Sequence, residues 1–344
     1  MKATTDAEAP VSVPQVLGGG VLMGLANLVP GVSGGTMILA MGLYDRFIGA
    51  LADVTRLRWK RSSIFFLVWI AVGALAALVG LSGVAVGLVT DHRWVMYSLF
   101  IGMTLGGAPE LVTQCKPFRV APGLAFLLAF SLMALLAWGL QSASIPENTL
   151  VFVFMGVLGA ASMILPGISG SYMLLIFGMY DVVIGAISIS ALREDPTGSL
   201  KILVPVGIGA VLGMGLLSNI LKHFLARHSA ASHAALLGLL LGSVLGLWPF
   251  RVPVNEDLAS KPFRKSVVML VAGEELATVK EKYGLELDEA RATELRTTYA
   301  GKSAGDLKQL GDELERFDPT GGQIGMSIGL FVLGFGLTRM LSRK

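Results

Sequence analysis

The chain has 344 residues, of which 53% are hydrophobic and only 15% are charged, and its mean hydropathy is +0.70. Soluble domains carry roughly 25% charged residues, so a soluble globular protein is excluded and most of the chain is expected to lie in a bilayer. The net charge is +3, and the single cysteine, Cys115, excludes an intrachain disulfide. The four histidines lack the spacing to carboxylates or thiols that is typical of metal sites. We expect no metal, no cofactor and no nucleic-acid partner.

Eight apolar stretches follow one another along the chain. A simple spanning helix needs about 20 residues, and six of the stretches have roughly one span's length. The other two, 15–51 and 149–190, are 37 and 42 residues long and carry a Pro-Gly pair in the middle. Each of these two is predicted to be a hairpin of two helical arms. The stretches are 15–51, 63–90, 94–112, 122–141, 149–190, 200–221, 233–250 and 322–341.

Lysine and arginine are concentrated in alternate loops. Cytoplasmic loops of membrane proteins are enriched in these residues, so the basic loops and both termini are predicted to be cytoplasmic, in a multi-pass protein of the cytoplasmic (inner) membrane. The first hairpin then enters and leaves on the cytoplasmic side and the second on the external side, which makes both re-entrant. The basic segments are 56–61, 116–119, 222–227 and 339–344.

The two hairpins carry the same sequence pattern. At an offset of 136 residues, 20–51 and 156–187 are identical at 15 of 32 positions. The shared residues include a Pro-Gly-x-Ser-Gly motif and a Tyr-Asp pair. An internal repeat of this length indicates two related structural halves.

The repeat extends beyond the hairpins. IGMTLGGAP at 101–109 matches LGSVLGLWP at 241–249, and the helices before these segments align weakly through Gly73 and Gly209. Each half therefore consists of a hairpin followed by three helices, which gives an odd number of crossings. The second half is predicted to be inverted relative to the first, an arrangement that places substrate near the membrane midplane.

The predicted fold class is an all-α polytopic membrane protein. It has two inverted-topology repeats, each a re-entrant helical hairpin plus about three transmembrane helices, and a small external α-rich insertion. Within that insertion, the pattern predicts three short amphipathic helices and a strand at 266–273. The predicted segments are a polar tail at 1–14, the first repeat at 15–141, the second repeat at 149–250 with 321–344, and a soluble insertion at 251–320.

The motifs PGVSGG at 30–35 and PGISGS at 166–171 are the sharpest chemical features. Non-helical backbone within a bilayer is tolerated only where it is buried in protein or lines a water-filled cavity. The free N–H groups at the start of a helix attract anions. We expect the two tips to meet as a phosphate- or carboxylate-sized site; close helix crossing is the alternative. Asn27, just before the first motif, is expected to be buried. The candidate substrate-binding residues are Asn27, Pro30, Gly31, Ser33, Gly34, Gly35, Thr36, Arg46, Pro166, Gly167, Ser169, Gly170, Ser171 and Tyr172.

A Tyr-Asp pair follows each motif. Each aspartate lies 12 residues beyond its motif serine, which is about 18 Å along a straight helix. The pairs are therefore expected at the hairpin mouths, away from the tips. Helix capping and an interfacial charge are the alternatives to a functional role. The candidates for gating or ion coupling are Tyr44, Asp45, Tyr180, Asp181 and Glu110.

The chain resembles a bacterial and archaeal membrane family in PGVSGGTMILAMGLYDRFIGAL, PGISGSYMLLIFGMYDVVIGAI and two Gly-x-x-Leu-Gly-x-x-Pro segments. That family is domain of unknown function 368, associated with polyprenyl-phosphate (undecaprenyl-phosphate) transport (PopT). The resemblance covers nearly the whole chain except 251–320. It implies a flippase that returns undecaprenyl phosphate from the outer to the inner leaflet for recycling of peptidoglycan and other envelope precursors. In that role the tips would cradle the phosphate, with Arg46 as a charge partner during release.

Two other classes of function stay open. A secondary transporter of a small soluble anion would need a closed aqueous vestibule, and a non-transporting envelope assembly factor would use 251–320 to dock partners. A lipid-phosphate phosphatase is disfavoured because neither motif copy contains a histidine. The expected partners are a polyprenyl-phosphate lipid and the bilayer, while a homodimer, an envelope partner at 251–320 and a purely ornamental insertion are left open.

Overall fold

The computed structural model describes residues 12–28, 32–81, 88, 92–117, 119–139, 145–187, 193, 195–285, 287–302 and 304–342. A few side chains inside helices, among them those of Ser171 and Asp181, lie outside this description. The chain forms two compact units. The large unit comprises Met1–Val86, Tyr97–Trp248 and Ser327–Lys344, and the small unit comprises Gly87–Met96 and Pro249–Met326.

The elements in chain order are α1 Val13–Leu28, α2 Gly34–Ala40, α3 Tyr44–Thr55, α4 Arg61–Gly80, α5 Arg93–Gly106, α6 Ala108–Gln114, α7 Val120–Gly139, α8 Thr149–Ile164, α9 Gly170–Ile176, α10 Tyr180–Ile187, α11 Pro196–Arg227, α12 Ser229–Val244, the 3-10 turn Leu245–Leu247, β1 Arg251–Pro253, α13 Glu256–Ala259, α14 Lys261–Val271, α15 Leu276–Tyr283, α16 Glu289–Thr298, α17 Ala304–Asp312, β2 Leu314–Arg316 and α18 Gly321–Ser342.

Among the described residues, five helical segments are long and apolar enough to cross a membrane. They are Arg61–Gly80, Arg93–Gln114, Pro196–Arg227, Ser229–Leu247 and Gly321–Met340. Large apolar side chains such as Leu75, Leu128 and Val211 are mostly exposed, as hydrocarbon-facing residues are. The protein is therefore an α-helical multi-pass membrane protein, as its composition predicted.

Side-chain caps fix where two of the long helices begin. The amide of Val151 donates to the Asn148 side chain at 3.0 Å, which starts α8. The amide of Gly198 donates to Asp195 at 2.9 Å, which starts α11 and lowers the pKa of that carboxyl. Both caps satisfy N–H groups that have no partner within the helix.

The same order of elements occurs twice in the large unit. The series α1–α4 and α8–α11 have a short helix at equivalent places, 34–40 and 170–176, and the next helix begins at Tyr44 and at Tyr180. The intervening turn contains Gly42 or Gly178, with φ of 68° and 67°, a conformation that glycine adopts without strain. The prediction of two helical arms per hairpin did not include this break, which divides each second arm into two helices.

The first hairpin folds back on itself. A Cβ added to Gly19 of α1 would lie 3.7 Å from Ile38 and 2.7 Å from Leu43, so α2 and the turn after it run back along α1. How the hairpins sit in the bilayer stays a prediction.

Glycines allow the helices of each half to cross closely. A Cβ on Gly73 of α4 would overlap the carbonyl oxygen of Leu17, and one on Gly209 of α11 would overlap that of Val153. Both pairs are related by the 136-residue offset of the repeat. The two weakly aligned glycines therefore occupy equivalent packing positions, typical of helix crossings in membranes.

The halves exchange their last helices. The Thr338 hydroxyl of α18 donates to the Met103 carbonyl of α5 at 3.1 Å, and Gly102 of α5 packs on the backbone of Phe331. In the other half, Gly238 of α12 packs on the backbone of Phe126 in α7. In each half, the second helix after the hairpin (α5 or α12) therefore packs on the last helix of the other half (α18 or α7), an arrangement with no signal in the sequence.

The small unit has its own hydrophobic core and a two-stranded antiparallel sheet of β1 and β2. The predicted strand at 266–273 is wrong, because most of this segment belongs to α14. Phe263, Val267 and Leu270 recur at helical spacing and face the core, and Pro262 lies in the first turn, where helices accept proline. Helices occur in each of the three segments predicted to be helical, although the third, α17, gives way to β2.

An ion-pair cluster joins α3 to α11. Asp53, which is 5% exposed, contacts Lys222 Nζ at 2.8 Å and Lys60 Nζ at 3.0 Å. The Asn219 amide adds a bond to Thr55 Oγ1 at 3.1 Å. Because α3 and α11 come from different halves, this cluster links the two repeats.

The Asp53→Asn variant is expected to lose about 1–3 kcal/mol of unfolding free energy, since two lysines lose their charged partner. Lys60→Gln is the matched control, and its loss should stay below about 1 kcal/mol because Lys60 is 60% exposed. Thermal unfolding of the full chain in detergent measures both. Equal losses in the two variants would contradict a structural role for the buried Asp53–Lys222 pair.

Candidate functional site

The two hairpin tips lie directly against each other. The Ser33 hydroxyl donates to the Leu165 carbonyl at 3.1 Å, and the Gly167 amide donates to Thr36 Oγ1 at 2.8 Å. Each bond joins a residue of the first hairpin to the tip of the second half. We call this contact the tip junction, formed by 32–36 and 163–168.

Two glycines allow close packing of the backbone at the junction and beside it. A Cβ on Gly35 would lie 2.8 Å from the Ile164 oxygen and 2.9 Å from the Met163 oxygen. Gly167 has a φ of 87°, and a Cβ there would lie 2.7 Å from the Leu239 oxygen. A side chain at either position would collide with backbone atoms, so Gly35 allows the two tips to meet and Gly167 allows the second tip to pack on α12.

Most of the tip junction is buried. Ser33 is 2% exposed and Thr36 is 1% exposed, and Pro166, Gly167 and Ile168 are also buried. Pro30 and Gly31 of the first motif lie outside the described residues. The sequence predicted that the tips converge, and the described residues bring them together, with the Ser33 and Thr36 hydroxyls bonded across the junction.

Tyr44 belongs to the junction rather than to a hairpin mouth. Its hydroxyl donates to the Ile164 carbonyl at 3.2 Å, and its side chain is buried. The expected separation from the tips is wrong for this residue because the straight helix assumed in that distance does not exist. The turn at Gly42 ends α2 and starts α3, so Tyr44 comes to lie beside the second tip.

A small polar cavity lies next to Tyr44. Its volume is about 40 Å³, and its lining includes Gly42, Asp45, Glu110 and His233 as well as Tyr44. This is near the size that holds a single water. The structure therefore brings together three candidates for gating or ion coupling.

His233 is the residue that the motif analysis missed. Its ring Nε2 lies 3.7 Å from Asp45 Oδ2, and its side chain is 6% exposed. The available signal was an ionisable residue at the start of an apolar helix, which in membrane proteins points to function.

One first-half candidate, Asn27, lies differently from expectation, and the role of Arg46 stays a prediction. Asn27 is exposed, not buried, because it lies in the last turn of α1 on a face that the neighbouring helices leave uncovered; its amide lies near Gly34. The Arg46 guanidinium lies 5.2 Å from the ring centroid of Phe66.

The structure gives contacts for only some of the second-half candidates. The Tyr172 hydroxyl donates to the Leu136 carbonyl of α7 at 2.7 Å, so Tyr172 ties α9 to α7. Gly170 packs on the Gly159 carbonyl oxygen. Ser169 precedes α9 and Tyr180 begins α10, while the side chains of Ser171 and Asp181 lie outside the described residues.

Comparisons with known proteins place the chain in a family. The family model described as VCA0040-like, undecaprenyl phosphate translocase-like, matches residues 23–262. The chain is 29% identical to a polyprenyl-phosphate transporter of Vibrio cholerae over 244 residues, covering 67% of this chain and 76% of that protein. It is 32% identical to a polyprenyl-phosphate transporter of Staphylococcus aureus over 248 residues, covering 69% of this chain and 86% of that protein. No solved structure matches the chain. The description of the family and the names of both relatives indicate transporters rather than enzymes. The chain therefore belongs to the undecaprenyl phosphate translocase-like family.

Proposed function

We propose that this protein transports polyprenyl phosphate, and that it returns undecaprenyl phosphate from the outer to the inner leaflet of the cytoplasmic membrane for envelope precursor recycling. The observation that carries the proposal is the tip junction, where polar groups of two broken helices meet inside a membrane protein. The names of two relatives support the substrate class.

The physical problem is the charge on the lipid head. Moving a charged group to the centre of a bilayer costs several kcal/mol even on the scales that give the lowest values, whereas the apolar prenyl tail is stable in hydrocarbon. The head therefore needs donors inside the membrane while the tail stays in lipid. Ser33, Thr36 and the Gly167 amide supply such donors at the junction.

These donors have two uses in the proposed cycle. In the closed junction they bond across the tips, so these buried groups have hydrogen-bond partners. When the tips separate, the Ser33 hydroxyl and the Gly167 amide become free to donate to phosphate oxygens, which form stronger, charge-assisted hydrogen bonds. Because phosphate oxygens would replace the opposite tip as hydrogen-bond partners, the free-energy cost of separating the tips would stay low.

The repeat supports alternate opening to the two leaflets. Equivalent helix crossings at Gly73 and Gly209 and the exchanged last helices relate the two halves throughout the large unit. With the basic loops in the cytoplasm, the halves have opposite orientations, and transporters of this kind expose a central site first to one side and then to the other.

The test uses the full chain in vesicles that contain polyprenyl phosphate, with the outward-facing phosphate followed by a membrane-impermeant phosphatase. Wild-type protein is expected to redistribute the lipid between leaflets. The Ser33→Ala/Ser169→Ala double variant should slow this by about tenfold or more, equivalent to about 1.4 kcal/mol, at normal expression. Ser232→Ala, outside the junction, is the control.

An unchanged leaflet distribution with folded wild-type protein would contradict the function. Uptake of inorganic phosphate into the lumen without lipid movement would indicate the soluble-anion transporter instead. Wild-type rates in the double variant would remove these hydroxyls from the mechanism while leaving the lipid assignment intact.

A further inference from the structure

The ring of His233 is held in one orientation by the helix that carries it. Its Nδ1 lies 2.8 Å from the Ser229 carbonyl oxygen. The Ser229 hydroxyl also lies near Nδ1, at the longer distance of 3.2 Å. A carbonyl oxygen can only accept, so the shorter contact favours a hydrogen on Nδ1, and Nε2 of the neutral ring then has a lone pair. Nε2 is buried and has no hydrogen-bond partner among the described residues.

That lone pair faces negative charge. Asp45 Oδ2 of α3 lies 3.7 Å from Nε2, and Glu110 of α6 lines the same cavity. Among the described residues, the charge of Arg339 in α18 also acts on Glu110, and the Tyr44 phenol lines the same cavity. A lone pair directed at a carboxylate is unfavourable, whereas an Nε2–H directed at it is attractive. The arrangement is therefore built for the protonated ring.

We propose that His233, Asp45 and Glu110 form a proton-binding site whose occupancy controls the tip junction through Tyr44. The ligand is a proton that Nε2 takes from water through the exposed Asp45 side of the cavity and returns by the same path. The existence of the site is independent of what the protein transports. Its coupling to lipid movement rests on the proposed function.

Tyr44 provides the mechanical link. It precedes Asp45 in α3 and its hydroxyl holds the Ile164 carbonyl of the opposite tip. When Nε2 loses its proton, Asp45 is no longer attracted to the ring, and the first turn of α3 is freed to move with Tyr44. Coupling of two sites is reciprocal, so opening of the junction must in turn favour release of the proton.

The first experiment measures the proton directly. The variant His92→Gln/His223→Gln/His228→Gln leaves His233 as the single histidine of the chain, and ring ¹⁵N resonances are followed from about pH 5 to about pH 9. We expect proton gain at Nε2 with Nδ1 remaining protonated. Adding Asp45→Asn should move the midpoint to lower pH by about one unit, because the neighbouring carboxylate is lost. A ring that stays neutral throughout the range, or an unmoved midpoint, would overturn the site.

The second experiment measures coupling. Wild-type lipid transport should change by about tenfold across the His233 titration, and this dependence should disappear in His233→Gln. His233→Asn, whose amide can still donate to the Ser229 carbonyl, repeats the test if the first variant folds poorly. His223→Gln is the matched control, since His223 is an exposed histidine on α11, and it should keep the wild-type profile. A wild-type profile in a folded His233 variant would overturn the coupling. Absence of lipid transport by wild type would contradict the proposed function instead, and the resonance titration would still decide the proton site.

Discussion

Thr36→Val is expected to slow lipid transport by at least about tenfold and to lower the unfolding free energy by about 1–3 kcal/mol. Valine has nearly the shape of threonine but cannot accept the hydrogen bond from the Gly167 amide, which spans 2.8 Å in a fully buried setting. The amide of the second tip would then be buried without a partner. Transport in vesicles and thermal unfolding in detergent measure the two effects.

Thr36→Ser is the matched control because it keeps the hydroxyl and loses only a methyl group. It should retain most of the transport rate, with the smaller stability loss of about 1 kcal/mol that a removed buried methyl causes. If valine and serine behaved alike, the bond between Thr36 and Gly167 would not hold the junction together.

Gly35→Ala is expected to abolish transport. The added Cβ would lie within 2.9 Å of two backbone carbonyl oxygens, those of Met163 and Ile164, and backbone in a packed helix end cannot move aside as a flexible side chain can. The tips would be held apart, and the bonds made by Ser33 and Thr36 would lengthen. The vesicle assay measures the loss, with expression in the membrane followed in parallel.

The same substitution elsewhere in the hairpin supplies the control. A Cβ on Gly49 of α3 meets nothing within 4 Å, so Gly49→Ala should transport as wild type. It should be slightly stabilised, by up to about 1 kcal/mol, because alanine favours helix more than glycine does. Full activity in Gly35→Ala would show that the tips need not touch during transport.

Local signals in the sequence predicted the membrane helices and the repeated motif well. Long apolar runs and the doubled Pro-Gly-x-Ser-Gly pattern depend only on neighbouring residues, and the bilayer leaves helices few alternatives. The break at Gly42 and Gly178 was harder to predict because a single glycine is tolerated inside a helix. That break made the straight-helix distance wrong and hid the role of Tyr44.

Non-local contacts account for what the sequence could not predict. His233 lies nearly 190 residues from Asp45 in the chain but 3.7 Å away in space, and no periodic pattern encodes that approach. In the small unit, the apolar segment at 266–273 contains enough valine to resemble a strand. The segment is helical because Phe263, Val267 and Leu270 recur at helical spacing and pack into one shared core.

The exchanged last helices set an order for biogenesis. Met103 and Thr338, which bond each other, are 235 residues apart in the chain, and a ribosome adding about 5–20 residues per second needs roughly 10–50 s to make that length. During that interval the glycine face of α5 has been synthesised but its partner has not. The nascent first half must therefore wait in the membrane, shielded by lipid or an insertion factor, until the final helix arrives and completes both halves together.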